Sequence, residues 1–144
     1  MKEFLEKHSN KSIFFLRLGI GIVFLVHGVG KLLNVGPVAL GLENTTGFFA
    51  SLGIPAAGLA AIVVAIVETF GGLFILLGLF TRISAALLAV TMLVAIVLVH
   101  FSKGFSVGNG GYEFALLLLL GCVSLMFSGP GGVLSLESVI RKRV

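Results

Sequence analysis

The sequence predicts an all-α, polytopic membrane protein: a four-transmembrane-helix bundle with a short interfacial helix in its first external loop. Composition is the first reason. Of 144 residues, 58% are hydrophobic and only 11% charged, and mean hydropathy is +1.18. A soluble domain carries about 25% charged residues, so this chain lacks the polar side chains to cover a water-facing surface. The second reason is length. Four apolar stretches approach the roughly 20 residues a helix needs to cross about 30 Å of hydrocarbon. Helices satisfy their own backbone in lipid, and no ten-residue alternation suggests a barrel.

The first span, Ile13–Val35, follows MKEFLEKHSNKS, a basic segment whose His8 is expected to be solvated. The span holds Arg17, His27 and Lys31 and has no small-residue cleavage site after it, so it reads as retained rather than as a signal peptide. In the loop 36–55, TTGFFASLGIP predicts a short helix capped by Thr46 and ended at Gly53 and Pro55. Its Phe48, Phe49 and Leu52 suit the interface or the mouth of the bundle. The second and third spans, Ala56–Phe80 and Ile83–Phe101, leave a tight turn between them. SKGFSVGNGG then reads as a flexible loop; its GNGG lacks the Lys-Ser/Thr of a phosphate loop. The fourth span is Tyr112–Ser128, and residues 1–144 form a single membrane domain.

Orientation follows from Lys and Arg. With four spans, the termini and the 81–82 turn share a side that carries Lys2, Lys7, Lys11, Arg17, Arg82, Arg141, Lys142 and Arg143. The other side has Lys31 and Lys103. The positive-inside rule puts both termini in the cytoplasm, with the protein multi-pass in the cell (plasma) membrane. The net charge of +4 belongs to these flanks and to lipid headgroups, not to nucleic acid.

The second span contains one charge, Glu68, in AIVVAIVETFGGLFILLG. At 100° per residue, Ala57, Ala61, Ala65 and Gly72 share its face. Small residues at this spacing mark a face where another helix approaches closely, so Glu68 points into the bundle. On the first span Arg17, Gly21, Phe24, Gly28 and Lys31 share a face, with His27 at its edge. A charge at bilayer centre costs about 2.5–3.5 kcal/mol on the lenient insertion scale, so Glu68 needs a partner. Counting depth at 1.5 Å per residue makes His27 the nearest, with Lys31 and Arg17 reaching only through long stems. The alternative is that Glu68 merely locks the first helix to the second.

RLGIGIVFLVHGVGKL (Arg17–Leu32), ETFGGLFILLGLFTR (Glu68–Arg82), GGYEFALLLL (Gly110–Leu119) and GPGGVLSLE (Gly129–Glu137) occur in an order that resembles the DoxX family over nearly the whole chain. The resemblance implies a small four-helix membrane protein. It also implies a role like that of the family's membrane subunits of oxidoreductase assemblies, which include quinone-linked thiosulfate oxidation and an oxidative-stress complex with soluble partners.

Residue chemistry narrows that role. A single cysteine, Cys122, cannot form an internal disulfide or hold an iron–sulfur cluster, and it reads as a small apolar residue. His27 and His100 differ in depth by about 7 Å at 1.5 Å per residue, too much for two axial ligands of one haem. No HxxxH, HxxE or CxxC spacing suggests a metal. The expected cofactor is a quinone, neither covalent nor metal-based. Glu68 would accept a proton from quinol and His27 would orient a ring oxygen. Lys31, Arg17, Arg82, His100 and Glu113 are the candidate ligand-binding residues, with Lys103 and Tyr112 beside the external cluster. Blander readings are an interfacial anchor for His100 and Lys103, a helix-dipole role for Glu113 and a positive-inside anchor for Arg82. The expected partners are the bilayer, soluble or membrane redox proteins and a second copy of the chain. A small anion or proton transporter or channel, and a non-catalytic membrane anchor or assembly factor, are the competing functions.

Overall fold

The computed structural model describes residues 2–141, with side chains for residues 11–140, so His8 lies outside the described side chains. Among the described residues the secondary structure is helical. The main helices are α1 (Lys2–Leu33), α2 (Gly41–Ser51), α3 (Ala57–Leu77), α4 (Thr81–Ala95), α5 (Glu113–Ser128) and α6 (Leu136–Arg141). A π turn at Ile96–His100 and a 3-10 turn at Phe101–Lys103 extend α4. Three stretches are long and apolar enough to cross a membrane: Lys11–Leu33, Ala57–Leu77 and Thr81–Lys103. The apolar helix α5 has 16 residues and is shorter, about 24 Å at 1.5 Å per residue.

The bundle is built from two antiparallel pairs. In the first, α1 crosses α3 at glycines, as the small-residue faces of the sequence predict. A Cβ on Gly21 would come within 2.9 Å of the Gly72 carbonyl oxygen, and Gly28 faces the backbone of Glu68 and Thr69. Backbones this close gain dispersion along their length, which is how helices associate where lipid removes the hydrophobic drive. In the second pair, Leu88 and Ala89 of α4 pack with Leu118, Cys122 and Leu125 of α5. Ile20 of α1 fills the notch at Gly121 and joins the pairs. One end of the bundle carries the α3–α4 turn, and the other carries α2 and the loop 104–112. At the turn end Gly78 ends α3 at φ +63°, a left-handed conformation natural to glycine, and the Arg17 guanidinium leaves no room for a Cβ there.

Two local expectations are corrected. The short helix starts at Gly41, so Thr46 lies inside it and caps nothing. Leu40 occupies the cap position without a side-chain bond, and Thr45 instead turns its hydroxyl back to the Gly41 carbonyl at 2.7 Å. Loop 104–112 is not loose: Tyr112 and Glu113 donate backbone N–H to Gly104 and Phe105 at 3.1 and 2.9 Å. The Tyr112 ring stacks on Phe101, with centroids 5.9 Å apart, and meets Phe105 edge-on.

Candidate functional site

Near the turn end α3 and α4 are in contact, with Leu88 against Gly71. Beyond that level they diverge and enclose a cavity of about 600 Å³, within the range of sites for drug-sized ligands. Val63, Val64 and Val67 of α3 face Val90, Thr91 and Val94 of α4 across it. Phe24 of α1 and Ala115 and Leu118 of α5, all buried, form its floor. Phe48, Phe49 and Leu52 of α2 line it at the loop end. The π turn Ile96–His100 lies at this wall, where Ala95, Leu98, Val99 and His100 all line the cavity.

Polar groups in this apolar space are few: His27, Lys31, Glu68, Thr91 and His100. Glu68 is buried and forms an ion pair through Oε2 with the Lys31 ammonium, which donates a hydrogen bond to it. The depth count pointed to His27; side-chain direction explains the difference. Helical side chains lean toward their own N-terminus, so on antiparallel helices Lys31 leans toward the turn end and Glu68 toward the loop end, and the two converge. Gly28, three residues before Lys31, faces α3 directly, whereas His27 is rotated 100° from Gly28 and borders the cavity. Neither the His27 ring nor Glu68 Oε1 has a hydrogen-bond partner among the described residues. Both remain free for a ligand.

The other candidates lie elsewhere, apart from His100. Arg17 is fully buried at the turn end and donates to five backbone carbonyls: Ile75 and Leu76 of α3, and Pro130, Val133 and Leu134 of the segment after α5. Distances run from 2.7 to 3.2 Å. The last carbonyls of a helix lack intrahelical partners and form the negative end of its dipole, so a guanidinium suits them without a carboxylate. Arg82 donates to the Met126 carbonyl at 3.3 Å and does not line the cavity. Glu113 accepts from the N–H of Val107 at 2.7 Å; Val107 lines the cavity, whereas Glu113 itself does not. His100 borders the cavity at its outer rim, with Nδ1 2.7 Å from the Gly110 carbonyl oxygen.

Thr91, Val63, Val67 and Val90 were not singled out from the sequence. Valines facing a cavity and valines facing lipid carry the same signal.

Comparison with known proteins finds relatives that are named as membrane proteins. A Bacillus subtilis protein, CatD, provisionally named an oxidoreductase, is 39% identical over 125 residues, which is 87% of this chain and 84% of the relative. An uncharacterised membrane protein of Mycobacterium tuberculosis is 37% identical over 137 residues, 88% of this chain and 80% of its own. The inner membrane protein YphA of Escherichia coli is 28% identical over 126 residues, 84% and 85% of the two chains. No solved structure matches the chain significantly. The DoxX family model matches residues 12–101, the stretch that supplies the Lys31–Glu68 pair, His27 and most of the cavity wall, and the chain belongs to that family.

Proposed function

We propose that this protein is a four-span plasma-membrane subunit of a quinone-linked oxidoreductase or redox-stress complex, and that its cavity holds the quinone. One observation carries the reading: an apolar cavity of ring-and-tail size has an ion pair and an unpartnered imidazole at its inner end. A quinone supplies two-electron, two-proton chemistry when bound, and the residues present fit such a ring. Lys31 has ammonium hydrogens beyond the one given to Glu68 and offers a donor to a ring carbonyl. Glu68 Oε1 is a free acceptor for a hydroxyl proton. His27 can donate or accept through either nitrogen and so orient the second oxygen. The apolar walls exclude water from the ring. Thr91 spends its hydroxyl on the Leu87 carbonyl at 3.1 Å and adds only its methyl group.

Electrons would come from a soluble or membrane redox protein. The provisional oxidoreductase name of the Bacillus relative supports this class. Both termini would be cytoplasmic by the positive-inside rule, with α5 completing four spans through local thinning of the bilayer. Conduction is disfavoured by the closed turn end, where Gly71 meets Leu88 and the Arg17 guanidinium fastens the segment after α5. Purified protein, extracted with organic solvent and chromatographed, should yield quinone near one per chain. An extract with no quinone above that of an unrelated membrane protein would reject the reading.

A further inference from the structure

The cavity is not closed equally on all sides. Its floor on α1 and α5 is shut, with Phe24 1% and Leu118 7% exposed. Its rim on α3 and α4 is open: Val63 is 50%, Leu87 50% and Val90 60% exposed while lining the cavity. These rim residues lie within the spans Ala57–Leu77 and Thr81–Lys103, so the gap faces acyl chains rather than water. At the loop end Phe48, Phe49 and Leu52 of α2 line the cavity, and Phe48 is 41% exposed. A ligand arriving from solution would pass the aromatic side chains of α2, whereas one dissolved in the bilayer meets a fissure lined by valines and leucines.

We propose that ligand enters sideways from the bilayer between α3 and α4, and that the occupant is a prenylated quinone whose tail stays in that fissure while its ring reaches Lys31, Glu68 and His27. The inference rests on the quinone reading above and adds the tail, the route and the residues that select for them. Apart from Thr91, whose hydroxyl is spent on the Leu87 carbonyl, polar side chains stand at the inner end and, with His100, at the outer rim. The fissure itself, between Val63 and Val90, is apolar, so it suits a branched hydrocarbon chain and offers nothing to a second polar group. A tail-less ring would use the inner end alone.

The test uses full-length protein in detergent and three probes: a naphthoquinone with a four-unit isoprenoid tail, the same ring with only a methyl group, and the isoprenoid alcohol without a ring. Ligand-dependent rise in melting temperature reports binding. In wild type, the tailed quinone should protect at the lowest concentration, the bare ring at a higher one, and the alcohol least. Val90→Trp combined with Val63→Trp places indoles in the fissure at exposed positions that tolerate bulk. It should raise the concentration of tailed quinone needed by about tenfold and leave the bare ring unchanged, which also verifies folding. Val94→Trp serves as a second variant at the same rim. Equal loss for both quinones, or loss for neither, overturns the placement of the tail between α3 and α4 while leaving the quinone site standing. Protection by the alcohol equal to that of the tailed quinone overturns ring recognition. A wild type that responds to no quinone overturns the functional reading itself.

Discussion

Lys31 of α1 and Glu68 of α3 form an ion pair within the membrane-spanning part of the bundle, at the inner end of an apolar cavity. The two partners are not equivalent. Lys31 is partly exposed and has a long stem that can turn toward the loop end, whereas Glu68 is almost fully buried on a short one.

Removing either partner should therefore have unequal effects. Lys31→Met strands a buried carboxylate and should lower stability by about 3–5 kcal/mol, the usual result of breaking a buried pair from one side. Glu68→Gln leaves an acceptor for an ammonium that can reach toward water, and should cost less than about 1.5 kcal/mol. The double variant should regain most of the loss, because no uncompensated charge remains. Melting temperatures and membrane abundance of the three variants check this; additive losses would contradict the pairing.

Arg17 should behave as a structural clasp. Its five hydrogen bonds use the guanidinium fork, and lysine has three donors and no fork. Arg17→Lys should cost about 3 kcal/mol, counting roughly 1.5–3 kcal/mol for each of the charged hydrogen bonds lost. It should also make the 130–135 segment sensitive to added protease. Unchanged melting and unchanged proteolysis would place the stability of that segment elsewhere.

Glycines on one helix separate contact from mere composition. Gly28 lies against the backbone of Thr69 and Glu68, whereas a Cβ on Gly19 would have nothing within 4 Å. Gly28→Ala should force α1 from α3 and cost about 1–3 kcal/mol as overpacking. Gly19→Ala should be neutral or stabilise by about 0.5–1 kcal/mol through helix propensity. Equal effects at both sites would mean that the α1–α3 crossing lies elsewhere.

Topology is testable at α2. Asn44 is exposed, whereas its neighbour Thr45 is buried. In a Cys122→Ala background, a cysteine at position 44 should react with an impermeant maleimide in intact cells. Reaction only after lysis would place this loop in the cytoplasm.

These residues also mark what the sequence discloses. The close-packed faces were legible because glycine and alanine recur at helical spacing around Glu68 and Gly21, and nothing but backbone contact explains them in lipid. The partner of Glu68 was misread because depth counted from residue number ignores the lean of side chains toward each helix N-terminus. Arg17 could not be read at all in this role. Its acceptors are carbonyls up to 117 residues away, and a carbonyl leaves no trace in amino-acid identity. The same holds for the π turn at Ile96–His100, whose residue types carry no signal for an inserted residue.

The central claim, a quinone ring held against His27 and the Lys31–Glu68 pair, is tested most directly by photolabelling. Purified protein is irradiated with an azido-quinone whose reactive group is on the ring, and the modified residues are located by mass spectrometry. Labelling should fall between residues 23 and 31 of α1 and between 60 and 68 of α3, and excess unlabelled quinone should abolish it. Labels confined to lipid-facing positions such as Phe127 or Leu117, or labelling that competitor leaves unchanged, would contradict the site.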